Sequence, residues 1–174
     1  HQSLSPVSGA ALRAPSALHE FNRYEMKYLV DVADLPELRE ELADHLAVDT
    51  NGVDGGYQVQ SVYYDTPDLK FYWEKIEGLR FRRKLRIRRY GSDPFDGTTE
   101  VFLEIKQRVN KVTQKRRIRM PYQEALRLCD GREPVEIEGY DAGVVQEVLG
   151  LVRGLDLRAC VTTGYRRQAY AGRD

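Results

Sequence analysis

The segment Leu79-Arg80-Phe81-Arg82-Arg83-Lys84-Leu85-Arg86-Ile87-Arg88 alternates in chemical kind along its length. Leu79, Phe81, Leu85 and Ile87 hold odd positions, whereas Arg80, Arg82, Lys84, Arg86 and Arg88 hold even ones. Successive side chains of a β-strand point to opposite faces. As a strand, the segment has one apolar face, broken by Arg83, and one face that is a row of cations. Like charges held side by side repel unless an anion sits among them. The row therefore asks for a polyanion.

The surrounding composition narrows that request. The chain has 174 residues, enough for one domain with a real core, and 27 Lys plus Arg against 27 Asp plus Glu, a formal net charge of zero. A nucleic-acid binder of this size is usually basic overall, so positive charge is here concentrated at a site, and no nucleic-acid partner is expected. Cys129 and Cys160 have no CxxC spacing and no His/Cys cluster beside them. They read as reduced thiols, and a cytoplasmic location is expected. No apolar run approaches the ~20 residues that span a bilayer. Residues 1–20, rich in Ser, Ala and Pro, read as a flexible leader, and 21–174 as the folded domain.

Further strands and helices emerge from the period of the apolar residues. Arg23–Val30 is strand-like, with Arg23, Glu25 and Lys27 on one face. Asp34 offers a helix cap, Glu37 completes a capping box and Pro36 suits the first turn, so a helix is expected to about Ala47. After the loop DTNGVDGG, residues Gln58–Asp65 form a β-branched and aromatic strand. Asp68–Glu77 reads as a short helix or turn ended by Gly78. Thr99–Arg108 alternates cleanly, placing Val101, Leu103 and Ile105 opposite Glu100, Phe102, Glu104 and Lys106. Beyond the turn-like VNKVT, Lys115, Arg117 and Arg119 share a face opposite Arg116, Ile118 and Met120. YQEALRLC and AGVVQEVLGLV read as helices, the second capped by Asp141. A last strand spans roughly Leu155–Tyr170, with Tyr165 and Arg167 on one face.

Several strands thus pair an apolar face with a charged one. A solvated sheet face would explain this, but such a face mixes signs, whereas here the strands collect cations and the helices hold many acids. The alternative curls the sheet so that its charged faces line a hydrated tunnel, with helices packed outside. A tri- or polyphosphate would fit such a tunnel, gripped by Arg forks and by Lys84 and its fellow lysines as point charges. The inward carboxylates Glu25 and Glu104 could bind a divalent metal or pair with lysines.

In RYEMKYLV, SVYYDT, KLRIRRYG, VFLEIKQR and, more loosely, GYRRQAY, the chain resembles the catalytic domain of VTC-type polyphosphate polymerases. These belong to the triphosphate tunnel metalloenzyme superfamily, related to the CYTH enzymes. The motifs run in family order from Phe21 to Tyr170. Arg23 stands where CYTH relatives have the first Glu of E-x-E-x-K, which favours the VTC branch. The resemblance implies an α+β fold built on an antiparallel β-barrel tunnel. It implies Lys27, Arg86, Arg88 and Lys106 as catalytic phosphate contacts. Tyr165 and Arg167 join from the later strand, with Lys115 and Arg117 as further ligands and Glu25 or Glu104 supporting Mn2+ or Mg2+. Transfer of the ATP γ-phosphate to a growing polyphosphate chain is the implied reaction. The family's later R-x-[ST]-x-D and L-E-x-K strands do not occur before Asp174, so the expectation is a tunnel domain lacking its last strands, or one completed by a second chain. A non-catalytic module for polyphosphate or inositol phosphates and a triphosphatase remain open beside the polymerase.

Overall fold

The computed structural model describes residues 26–48, 56–110, 112–137 and 139–172, so the expected leader and the segment 23–25 lie outside the described residues. The chain divides into two units, His1–Glu40 and Glu41–Asp174. In the first, residues 26–31 carry no regular structure, although strand was expected as far as Val30. A strand needs a ladder partner, and none pairs with this segment among the described residues. The cap is Asp31, not Asp34: its carboxylate accepts from the Ala33 N–H at 2.9 Å and starts a 3-10 turn, Val32–Asp34. Helix α1 (Leu35–His45) continues it, entering on Pro36 as the sequence suggests.

The second unit is built on a five-stranded antiparallel sheet of order β5-β4-β3-β2-β6, formed by β2 (Gly56–Asp65), β3 (Phe81–Tyr90), β4 (Glu100–Val109), β5 (Val112–Pro121) and β6 (Arg158–Gln168). A separate pair joins β1 (Leu46–Val48) to β7 (Tyr170–Gly172). The fold is α+β, as expected, but the closed barrel is not formed among the described residues. Strands β5 and β6 end the sheet on either side and do not pair with each other, so among the described residues its two edges have no further strand.

Alternation decides which face is dry. Leu85 and Ile87 of β3, Val101, Leu103 and Ile105 of β4, and Ile118 and Met120 of β5 are buried together with Ala125, Leu128, Val145, Val148 and Val152. The last five come from α3 (Tyr122–Cys129) and α4 (Tyr140–Gly154), which therefore cover the apolar face. Each large apolar side chain, fully buried, contributes about 1.5–3 kcal/mol. Arg83, the exception in the alternation, also lies on this side. Its backbone N–H and guanidinium donate to Glu74 of α2 (Lys70–Ile76) at 3.0 and 3.4 Å, and its guanidinium packs over Phe71 and Phe81. Arg116 is treated alike, donating to Gln107 at 3.0 Å and to Glu147 of α4 at 2.8 Å.

The turns explain how the strands meet. Hairpin β4–β5 pairs Val109 with Val112, and Asn110 supplies the left-handed backbone (φ 54°) such a tight loop needs. The β3–β4 loop is tied by Asp96, whose carboxylate accepts from the Thr98 and Thr99 N–H groups at 2.8 and 3.1 Å. Strand β2 ends on Asp65, which is buried and accepts from Thr66 and Phe71 N–H at 2.8 Å and from Tyr72 N–H at 2.9 Å. Thr66 adds a bond from Lys70 N–H at 2.9 Å. These groups satisfy the first turn of α2, which begins after Leu69 in a left-handed conformation (φ 57°) that a leucine adopts only under constraint. Replacing Asp65 with Ala is expected to cost about 2 kcal/mol through the lost cap and its orphaned donors. A urea titration would show this as a lower midpoint at unchanged slope; an unchanged midpoint would mean that the cap does not hold α2.

Candidate functional site

The face opposite α3 and α4 is organised by register into rows that run across the strands. Arg108 and Thr113 pair across β4–β5, and Arg108 faces Arg82 on β3. Next comes Lys115–Lys106–Lys84, three lysines directly opposite one another on adjacent strands. The third row is Arg117–Glu104–Arg86–Tyr63, and the fourth Arg119–Phe102–Arg88–Ser61–Thr163. The face ends in Tyr90–Val59–Tyr165, with Tyr57 opposite Arg167 beyond it. Strands β2 to β6 thus form one continuous surface that is cationic over β3–β5 and aromatic toward one end.

The third row holds the only buried carboxylate of this face among the described residues. Glu104 is 2% exposed and sits between cations. Arg86 donates through Nε to Oε2 at 2.6 Å, with Nη2 2.5 Å from the same oxygen. On the other side Arg117 Nε and Lys115 Nζ lie 3.1 and 3.2 Å from Oε1. That oxygen is held by charge and receives no directed hydrogen bond. Burial alone would raise the Glu104 pKa, but the bond and charge of Arg86, with Lys115, outweigh it and hold the carboxyl below its usual range. Burial opposes the Arg86 charge in the same way, and bonds to Tyr63 and Glu104 overcome it. The Tyr63 hydroxyl accepts from Arg86 Nη1 at 2.9 Å, and the Ser61 hydroxyl accepts from Arg88 Nε at 3.0 Å. Arg117 is further fixed over Phe102, 3.5 Å from its ring centre.

The lysine row lacks such balance. Lys115 shares Glu104, but Lys84 and Lys106 have no carboxylate within ion-pair distance among the described residues. Partial burial lowers the Lys84 pKa, and Lys75, Lys106 and Arg86 push it further down. Beside this row opens a cavity of about 310 Å³ lined by Tyr63, Lys75, Arg82, Arg83, Lys84, Arg86, Lys106, Arg108 and Thr113. Its walls contain seven cations and no carboxylate; two of the seven, Arg83 and Arg86, are paired with Glu74 and Glu104 behind the wall, and the other five have no such partner among the described residues. An anion there would relieve repulsion that the protein itself leaves in place.

Of the residues expected at the site, Lys84, Arg86, Arg88, Glu104, Lys106, Lys115 and Arg117 come together across β3–β5. Tyr165 and Arg167 share their face but stand on β6, toward its aromatic end. Lys27 lies in the first unit, and Glu25 lies outside the described residues. Arg82, Arg108, Ser61 and Tyr63 belong to the site as well, and their strand parity signals it. Lys75 enters from α2, which no strand pattern could indicate. Glu104, expected either to support a metal or to pair with lysines, has three cations within 3.2 Å, Lys115 among them. That surrounding does not suit a divalent ion, and no group of three or more His, Cys, Asp or Glu is placed to hold one among the described residues.

Because the Glu104 pKa is lowered on folding, its stabilisation is present above the unfolded carboxylate range and is lost as pH falls through the folded value. Glu104→Gln is therefore expected to cost about 3–5 kcal/mol at neutral pH, the usual penalty for breaking a buried pair. It should also flatten the acid limb of a stability–pH profile. Parallel wild-type and variant acid limbs would show that the carboxylate is not the counter-ion of the row.

Comparison with protein-family models matches residues 22–174 to the VTC domain, which spans the whole sheet and its covering helices. No curated protein matches the chain. No helix among the described residues is long and apolar enough to cross a membrane. With nearly all of its length matched and its strands carrying the cation rows described above, the chain belongs to the VTC domain family.

Proposed function

We propose that the cation face binds the phosphates of ATP and of polyphosphate, and that the γ-phosphate of ATP is passed to the end of the polyphosphate chain with release of ADP. The observation that carries this reading is the Lys84–Lys106–Lys115 row, set beside a cavity with seven cations and no carboxylate. A single phosphate would not need so long a run of positive charge; a linear polyanion would engage all of it. Phosphoryl transfer depends mainly on positioning and charge stabilisation, so an Arg/Lys surface is suited to it without a protein nucleophile. Arg86 and Arg88, held by Glu104, Tyr63 and Ser61, would clamp transferring oxygens, and Lys106 would balance charge beside them. Lys115 and Arg117 would extend the grip. Lys27 stays a proposed phosphate contact on the strength of the family resemblance.

In this reading the face is one wall of a tunnel, completed by a second chain along the edge strands β5 and β6. Mn2+ or Mg2+ would arrive with the nucleotide, since Glu104 is committed to cations of the protein. A cytoplasmic site, where ATP is abundant, accords with the two free thiols. The open sheet favours one competing reading, a module that binds polyphosphate or inositol phosphates without catalysis.

Incubation with ATP and Mn2+ separates these outcomes. Polyphosphate appears if the proposal holds; free phosphate alone would make the protein a triphosphatase, and binding without turnover would make it a module. Lys106→Ala, which breaks no ion pair among the described residues, is expected to weaken tripolyphosphate binding about tenfold or more. Unchanged binding would remove the lysine row from the site. Bound phosphate should also raise the lowered Lys84 pKa. Affinity for tripolyphosphate is then expected to fall as pH rises through the Lys84 range, and Lys84→Arg should abolish that fall within the same range. An identical pH profile in the variant would assign the dependence to another group.

A further inference from the structure

Strand β2 stops alongside the middle of β3, and a helix takes its place. After Tyr64–Leu85, the next steps of the β2–β3 register would set Asp65 against Lys84 and Thr66 against Arg83. Asp65 would be a ready counter-ion for Lys84, but its carboxylate is spent on the N–H groups of Thr66, Phe71 and Tyr72 at the turn into α2. Odd positions of β3 form their backbone bonds toward β2 and even positions toward β4, as Gly91 to Gln58 and Asn110 to Arg80 show. The Arg83 N–H therefore points at the edge that β2 has left. There Glu74 of α2 accepts it at 3.0 Å, standing in for a strand carbonyl, and its other oxygen receives the Arg83 guanidinium at 3.4 Å. Glu74 is buried in this clamp, so α2 is docked where the strand would have run.

The residue after the clamp is Lys75. It lines the cavity together with Lys84 and Lys106, and among the described residues it has no carboxylate within ion-pair distance. Burial lowers the Lys84 pKa, and the Lys75 charge adds to that effect, so the helix lysine presses on the strand lysine. The exchange of strand for helix thus withdraws one carboxylate from beside the lysine row and supplies one more cation. We infer that Lys75 is a phosphate ligand, the fourth member of the row Lys115–Lys106–Lys84, carried to the site by the clamped helix. The inference rests on the phosphate-binding reading above. A phosphate chain entering the cavity meets three lysines from the sheet and one from the bank that α2 forms along its edge. The repulsion between Lys75 and Lys84 is relieved by the same anion.

The test compares two lysines of one helix. Lys75→Ala retains a good helix former and breaks no ion pair among the described residues. Its tripolyphosphate affinity should fall about tenfold or more, as for loss of a charge-assisted hydrogen bond. Lys70→Ala removes an equal charge from α2 at a position outside the cavity lining and should bind as the wild type does. Lys75→Arg keeps the charge and should recover most of the lost affinity. Unchanged affinity in Lys75→Ala, or an equal loss in Lys70→Ala, would overturn the assignment while leaving the strand residues as phosphate contacts. A loss accompanied by a lowered urea midpoint in both Lys75 variants would make the residue part of the fold and overturn it too. A wild-type protein that fails to bind tripolyphosphate would overturn the phosphate reading first, and the role of Lys75 with it.

Discussion

Repulsion among cations is the constraint around which this sheet is arranged. Adjacent strands lie about 4.8 Å apart, and two unit charges at that spacing oppose each other by roughly 3 kcal/mol at an effective dielectric of 20. Long side chains splay and reduce the figure, but the rows across β3, β4 and β5 stack several such pairs. Glu104 is the protein's own answer for one row. It brings a single negative charge among Arg86, Arg117 and Lys115, and its burial is tolerated because all three face it. The lysine row next to it has only the share of that charge that reaches Lys115. The fold thus relieves the repulsion where it fixes the arginines and leaves it standing where the lysines are.

The same sheet handles stray charges on its other face quite differently. Arg83 and Arg116 interrupt the apolar pattern and would be costly against the core. Each is met by a helix acid, Glu74 from α2 and Glu147 from α4. The helix acids therefore reach round to neutralise cations on the covered side, while the open side keeps its excess. A neutral total charge conceals this division: acids and bases are equal in number but not in place.

Much of this was legible from strand parity. The alternation in Leu79–Arg88 and in Thr99–Arg108 assigned each side chain to its face, because the period of a strand is two and burial enforces register. Helices α3 and α4 were equally plain from their apolar spacing. The segment 26–30 misled because alternation reports a face that could be buried, not whether a partner strand is there to pair with it. Barrel closure was not legible for the same reason: period tells the two faces apart but says nothing of where a sheet's edges meet, and among the described residues they do not meet. The role of Glu104 was legible only in part: pairing with lysines was one of its two expected uses and Lys115 fulfils it, but its arginine partners lie 18 residues away at Arg86 and 13 away at Arg117, and only register brings them opposite each other. Asp65 and Thr66 look like part of a site motif, yet in the fold they hold the start of α2, which in turn places Glu74 and Lys75.

The contrast between arginines and lysines bears on how a polymer could be handled. Arg86, Arg88 and Arg117 are each held before any ligand arrives, by Glu104 and Tyr63, by Ser61, and by Phe102 respectively. In the proposed reading their forks would meet phosphate oxygens in one geometry, with little reorganisation when charge develops there. Lys84 and Lys106 have no such tethers among the described residues and present flexible point charges instead. A rigid grip suits the place where a bond must break in line. A yielding row suits the place where a chain must advance by one phosphate after each transfer, because no single position along it is held tightly enough to become a trap. Strong binding at every phosphate would serve affinity and oppose movement. In the proposed reading, confining the tethers to the arginine rows would let one surface do both.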